Sequence, residues 1–204
     1  MKTFVTRMLA AGLFGTALLA HAADGPAPTY LPFNAANGFQ NAPSIVEGAS
    51  GSAVKTTIYV FMDPNCIYCH LAWKALQPYE AVGLQVHWIP MGFLKPDSPG
   101  KAAALLVSKD GAALLKTLET NYSEQDESGG IAPLATIPDA VKAQLDANAQ
   151  LFQSLGLSGT PTIIYRASGG RWADIDGLPK LAALAQMLNL PAQPTTDPEL
   201  QKYQ

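Results

Sequence analysis

Between residues 55 and 62 the chain reads KTTIYVFM, and past Lys55 nearly every side chain is β-branched, aromatic or apolar. A run without polar alternation predicts a strand covered on both faces, hence a central one. Asp63-Pro64-Asn65 breaks it. From Cys66 to Tyr79 the apolar positions Leu71, Ala72, Ala75, Leu76 and Tyr79 recur at helical spacing. GLQVHWIP, residues 83 to 90, predicts a second strand, and PMGFLKPDSPG after it a loop. Residues 101 to 121 are patterned as helix, with Gly111 as a candidate break. A polar loop then runs to Pro138, which opens a helix over 139–155 that Gly156 stops. TPTIIYRA predicts a third strand, Ser168-Gly169-Gly170 a turn, RWADID a fourth strand, and residues 177–188 a final helix. The order is that of a mixed α/β domain.

The two ends fall outside this pattern. Residues 1–22 carry Lys2 and Arg7, an apolar run from Met8 to Ala20, and the small-x-small site Ala20-His21-Ala22. These features predict a secretory signal peptide cleaved after Ala22. The run is too short for a spanning helix of about 20 residues. Residues 23–54 are rich in Pro, Gly, Asn and Ala, and predict an extended lead-in with one short helix near Gly38 to Val46. The folded unit is expected over 55–190. Residues 191–204, with three prolines, predict a flexible tail.

Thirteen Lys and Arg residues face sixteen Asp and Glu, a formal net charge of −3, and losing Lys2 and Arg7 with the leader makes the balance more acidic. Such a surface does not suit general binding to nucleic acid or to anionic membranes. Cysteine usage narrows the field further. An exported chain meets oxidising conditions, yet this one has only two cysteines, Cys66 and Cys69. A bridge across so short a loop restrains little chain entropy, so the pair is a poor structural staple and a better reactive site.

The motif is Cys66-Ile67-Tyr68-Cys69-His70. Cys-x-x-Cys-His is also the attachment signature of c-type haem, with His70 as axial ligand. A strand before the motif and a continuing α/β pattern argue against that reading. A copper carrier using Cys66, Cys69 and His70 is a further alternative. A structural zinc site lacks a fourth ligand. The dithiol reading gives each residue a task. Cys66 opens a helix, where free N–H groups and the helix dipole favour a thiolate. Cys69, one turn deeper, resolves the mixed disulfide that Cys66 forms. Asp63 and Asn65 are candidate caps of that helix. His70 reads as a helix-surface residue able to tune the site, and Ile67 and Tyr68 as the residues between the sulfurs that set its redox balance. Far downstream, Thr160-Pro161 begins the third strand.

Together these stretches resemble the DsbC/DsbG group of periplasmic thiol:disulfide interchange proteins, DsbG in particular. The segments are IYVFMDPNCIYCHLAW, GFLKPDSPGKAAALLVSKD, LGLSGTPTIIY and DGLPK, and the likeness runs from about Thr56 to Leu190. It implies a thioredoxin-like fold with a helical insertion, at about 101–155, between the second strand and the cis-proline strand. It implies Cys66 as exposed nucleophile, Cys69 as resolving cysteine, Pro161 as the cis-proline, and Thr160 touching the sulfurs and the substrate backbone. It implies a periplasmic enzyme without cofactor or metal that reduces or isomerises disulfides, or reduces cysteine sulfenic acids, in cysteine-containing proteins. Its electron donor would be a membrane protein of the DsbD type. A dithiol oxidase served by a DsbB-type partner is the alternative within the class, and a chaperone that works without its thiols is the alternative outside it. Two departures stand out. Ile67 replaces the proline of the nearest relatives and restores a backbone N–H beside Cys66. Only about thirty residues precede the first strand where the group has a dimerisation domain, so a monomer is expected.

Overall fold

The structure is a computed structural model that describes residues 28–204. The predicted signal peptide therefore lies outside the described residues. The strands are β1 (Thr29–Tyr30), β2 (Ile45–Gly48), β3 (Thr56–Met62), β4 (Leu84–Pro90), β5 (Thr162–Arg166) and β6 (Trp172–Asp176). The helices are α1 (Ala36–Phe39), α2 (Ile67–Glu80), α3 (Ser98–Val107), α4 (Gly111–Thr120), α5 (Asp139–Ser154) and α6 (Leu181–Leu188). Short 3-10 turns occupy Gly51–Ala53 and Pro198–Tyr203.

All six strands form one sheet in the order β1-β6-β5-β3-β4-β2. β3 lies inside it, parallel to β4 and antiparallel to β5. Alternation along β3 feeds two separate cores. Ile58, Val60 and Met62 pack with Leu71 and Leu76 of α2, Leu115 and Leu118 of α4, and Leu184 and Leu188 of α6. Tyr59 and Phe61 point the other way, toward Phe39 of α1, Phe152 of α5 and Trp172 of β6. That second core is aromatic: Phe39 lies 4.9 Å from Tyr59 and 5.0 Å from Trp172, centroid to centroid. Both faces of β3 are thus covered, which explains its unbroken apolar run. Helices α3, α4 and α5 all fall between β4 and β5, and Gly111 begins α4.

Both flanking segments depart from expectation. The stretch 23–54, read as a lead-in ahead of the folded unit, supplies the two edge strands. β1 pairs with β6, and β2 pairs with β4 through Ile45↔Trp88 and Glu47↔Val86. The helix expected near 38–46 is confined to Ala36–Phe39; a turn follows, and β2 begins at Ile45. Two- and four-residue strands carry no readable periodicity; their partners, far along the chain, fix them. The tail, expected to be flexible, turns back onto α2. Leu200 is fully buried in the first core, and Lys74 of α2 pairs with Asp197 and Glu199, each at 2.8 Å.

Candidate active site

The site forms where β3 ends. Cys66 is the N-terminal flanking residue of α2, extended at φ −81° and ψ 115°, and no side chain caps the helix. Asp63 and Asn65, the expected caps, instead build a buried polar network under the motif. The Asp63 carboxylate accepts the backbone N–H groups of Asn65, Phe93 and Leu94 at 3.0, 2.8 and 3.0 Å, and the Ser98 hydroxyl at 2.8 Å. The Asn65 amide donates to Ser98 Oγ at 2.8 Å and to Asp97 at 2.9 Å. Its oxygen accepts from buried Lys101 Nζ at 2.8 Å and from Gly129 N at 3.1 Å. Position 129 admits no side chain, because a Cβ there would lie 2.3 Å from the Pro64 carbonyl oxygen. The segment 93–101 and the loop before α5 are thereby locked to Asp63-Pro64-Asn65. Sequence reasoning took these residues for local helix caps, since Ser98 and Lys101 lie more than thirty positions away.

The two cysteines are free thiols in different surroundings. Both are buried, Cys66 at 6% exposed and Cys69 at 0%, so Cys66 is not the exposed thiol that the resemblance implies. The Cys66 thiol is brought down to about 7, chiefly by a hydrogen bond from the Cys69 thiol. Burial opposes this, while the Thr160 side chain and the backbone N–H groups of Cys69 and Tyr68 assist. The helix start contributes as expected, but its share is smaller than that of the neighbouring sulfur. The donors are Tyr68 and Cys69 rather than the N–H that Ile67 restores. Burial pushes Cys69 well above an ordinary thiol, and the hydrogen bond and charge of Cys66 add to that rise.

Thr160 and Pro161 lie beside the dithiol. The Thr160–Pro161 peptide is cis, and the Cys66 thiol donates to the Thr160 carbonyl at 3.2 Å. The far side of this loop is fixed by β6: Gly177 N donates to Pro161 O at 2.7 Å, and Thr162 Oγ1 donates to Asp176 at 2.9 Å. The neighbouring segments expose apolar side chains, with Tyr68 of α2 51%, Phe93 54% and Leu94 47% exposed. Ile67 is half-buried against the first core.

His70 is not on the helix surface. It is buried, with Nδ1 2.9 Å from Glu119 and Nε2 3.1 Å from Glu199, and its ring stacks on Tyr122 at 4.5 Å. Both ring nitrogens face carboxylates rather than the sulfurs, which removes the geometry of a Cys/Cys/His ligand set. Burial works against its proton, but Glu119 and then Glu199 outweigh it and raise its affinity. A histidine at helical position i and carboxylates 49 and 129 residues away give no local signal in sequence.

The chain is similar to proteins with known names. Over 132 residues the chain is 37% identical to the thiol:disulfide interchange protein DsbG of Pseudomonas aeruginosa, covering 64% of this chain and 50% of that protein. It is 35% identical over 127 residues to DsbG of Escherichia coli, covering 60% and 48%. The chain thus spans about half the length of the curated relatives it matches. Among solved structures, Proteus mirabilis ScsC in a compact conformation superposes with a TM-score of 0.56 at 18% identity, covering 82% of this chain and 78% of that one. A periplasmic thioredoxin-like protein from Salmonella enterica serovar Typhimurium gives 0.51 at 20% identity, covering 78% and 96%. A parallel β3–α2–β4 unit, antiparallel β5 and β6, a Cys-x-x-Cys at the helix start and a facing cis-proline agree with the family match over residues 46–190, and the chain belongs to the thioredoxin-like domain family.

Proposed function

We propose that the chain is a periplasmic thiol–disulfide oxidoreductase that reduces or isomerises disulfides in other proteins. The observation that carries this reading is the asymmetry of the pair: Cys66, 6% exposed and beside the Thr160 loop, lies near 7, while the fully enclosed Cys69 is held far above it. Cys66 is the nucleophile. Its thiolate attacks one sulfur of a substrate disulfide, forms a mixed disulfide and expels the other substrate thiolate, which takes a proton from water. Cys69 then gives up its proton and attacks the Cys66 sulfur. The Cys66–Cys69 disulfide forms, the substrate leaves as its second thiolate, and two electrons have passed to it. If the freed substrate thiolate instead attacks another substrate disulfide, and the thiolate so displaced attacks the substrate sulfur bonded to Cys66, the Cys66 thiolate is expelled and the outcome is isomerisation without net electron transfer. A substrate sulfenic acid enters the same cycle, losing water as the mixed disulfide forms.

Thr160 and Pro161 line the approach to Cys66, while Ile67, Tyr68 and His70 tune the couple. Repeated turnover as a reductase needs a dithiol donor, and the likeness to DsbG supports one of the DsbD type in the membrane. The likeness and the leader-like N-terminus together support the periplasm. Trapping tests the assignment. Cys69→Ser should accumulate mixed disulfides with cysteine-containing proteins, and Cys66→Ser should form none. Complexes retained by Cys66→Ser and absent from Cys69→Ser would reverse the roles.

A further inference from the structure

The C-terminal turn reaches α2 through two acidic side chains, Asp197 and Glu199. Asp197 starts that turn by accepting Glu199 N at 3.0 Å, and Leu200 anchors it in the core. Lys74 grips Asp197 and Glu199 together. Glu199 is thereby held with its carboxylate 3.1 Å from His70 Nε2, opposite Glu119 on Nδ1. Glu119 is 2% exposed, and His70 is its only ion-pair partner among the described residues. Burial raises the proton affinity of Glu119 and the hydrogen bond and charge of His70 oppose that rise; when ionised, Glu119 opposes a thiolate at Cys69.

We propose that Glu199 is a positioning residue for the resolving step: it fixes the His70 ring against Glu119, so that the buried negative charge is masked from the Cys69 thiolate. This rests on the dithiol reading above. Cys69 releases its proton to water, its thiolate bonds to the Cys66 sulfur, and the Cys66–substrate bond breaks. The first attack, by Cys66, does not pass through this cluster. The groups around His70 are Glu119 from α4, Tyr122 from the following loop, and Asp197 and Glu199 from the C-terminal turn, the last two held by Lys74 of α2. Glu47 of β2 adds its charge to that of Glu119.

The test separates the two chemical steps in the full chain. Alkylation of Cys66 in the reduced protein reads the first. Decay of a preformed Cys66–glutathione mixed disulfide reads the second. In Glu199→Gln, Cys66 alkylation should stay as in the parent, while decay slows by about tenfold for each pH unit by which the Cys69 titration rises. The His70 ring protons, followed by NMR, should titrate at lower pH. Glu124→Gln, which removes an exposed charge near the same turn, should change neither step. In a His70→Gln background the Glu199→Gln effect on decay should vanish, because Glu199 acts through that ring. Unaltered decay in Glu199→Gln with an intact thermal transition, or an equal effect with and without His70, would overturn the proposal. A parent protein that forms no mixed disulfide with glutathione would instead overturn the dithiol function itself.

Discussion

At the scale of single residues, the site is two sulfurs three positions apart that the fold treats unequally. Cys66 sits at the end of an extended segment, so its sulfur meets N–H groups of the first helical turn and the edge of the Thr160 loop. Cys69, one turn inside, has only protein around it. With the Cys66 thiol near 7, its rate of alkylation should rise with pH through about 7 and level off above. An unassisted thiol would go on rising toward 9.0, the ordinary value. A rate still climbing well above 8 would show that the stabilising contacts are absent in solution. Thr160 meets Cys66 in two ways, through its carbonyl at 3.2 Å and through its side chain, which favours the thiolate. Thr160→Val keeps the first and deletes the second. Losing one hydrogen bond to the thiolate, about 1.4 kcal/mol, makes the couple about 30 mV more reducing. Equilibration with glutathione measures this, and an unchanged potential would leave Thr160 a purely backbone role.

At the scale of elements, the junction of β3 and α2 depends on pieces brought from the start of α3 and the loop before α5. Asp63 is the keystone, since all four of its partners are donors. Asp63→Asn preserves shape but turns an NH2 toward backbone N–H groups that need an acceptor. The loss should be about 2–3 kcal/mol, the scale of a charged hydrogen bond plus a buried donor left unpaired. A chemical denaturation midpoint that barely moves would mean the loop carries no stability of its own. This junction also marks how far the sequence could be read. β3, α2 and β4 were legible because each is long, periodic and bounded by Pro, Gly or Asn. The placement of Cys66, Thr160 and Pro161 in one site came from the resemblance to a known group, not from periodicity. β2 and the C-terminal turn were not legible, because four and six residues hold no period and owe their form to Trp88, Lys74 and His70. His70 was misjudged for the same reason: its burial is decided by α4 and the chain's last residues, whose positions follow only from the completed fold.

At the scale of the molecule, two tryptophans from different elements converge on Glu47, whose charge acts on a second acid, Glu80. Glu47 of β2 accepts the indole N–H groups of Trp73 from α2 at 3.0 Å and of Trp88 from β4 at 3.1 Å. Burial raises its proton affinity despite those bonds. Glu80, at the end of α2, is pushed up to about 8, first by burial and then by the charge of Glu47, with Gln77 and Lys116 opposing. The edge strand, the redox helix and β4 therefore meet around a carboxyl that the folded state prefers to keep neutral. The sign follows from proton counting. Between the ordinary value of 4.5 and about 8 the folded state holds a proton that the unfolded state has released, so stability falls as pH rises across that window. Cys66 acts in the opposite sense between about 7 and 9.0, since its folded value is the lower one. The oxidised protein, in which no thiol titrates, removes that competing contribution. In that form Glu80→Gln should match the parent below 4.5, become progressively more stable than it as pH rises to about 8, and hold a constant advantage beyond. Denaturation midpoints of parent and variant across this range give the difference directly. Parallel profiles would show that Glu80 binds its proton equally well in the folded and unfolded chain, and that water reaches the junction where these three elements meet.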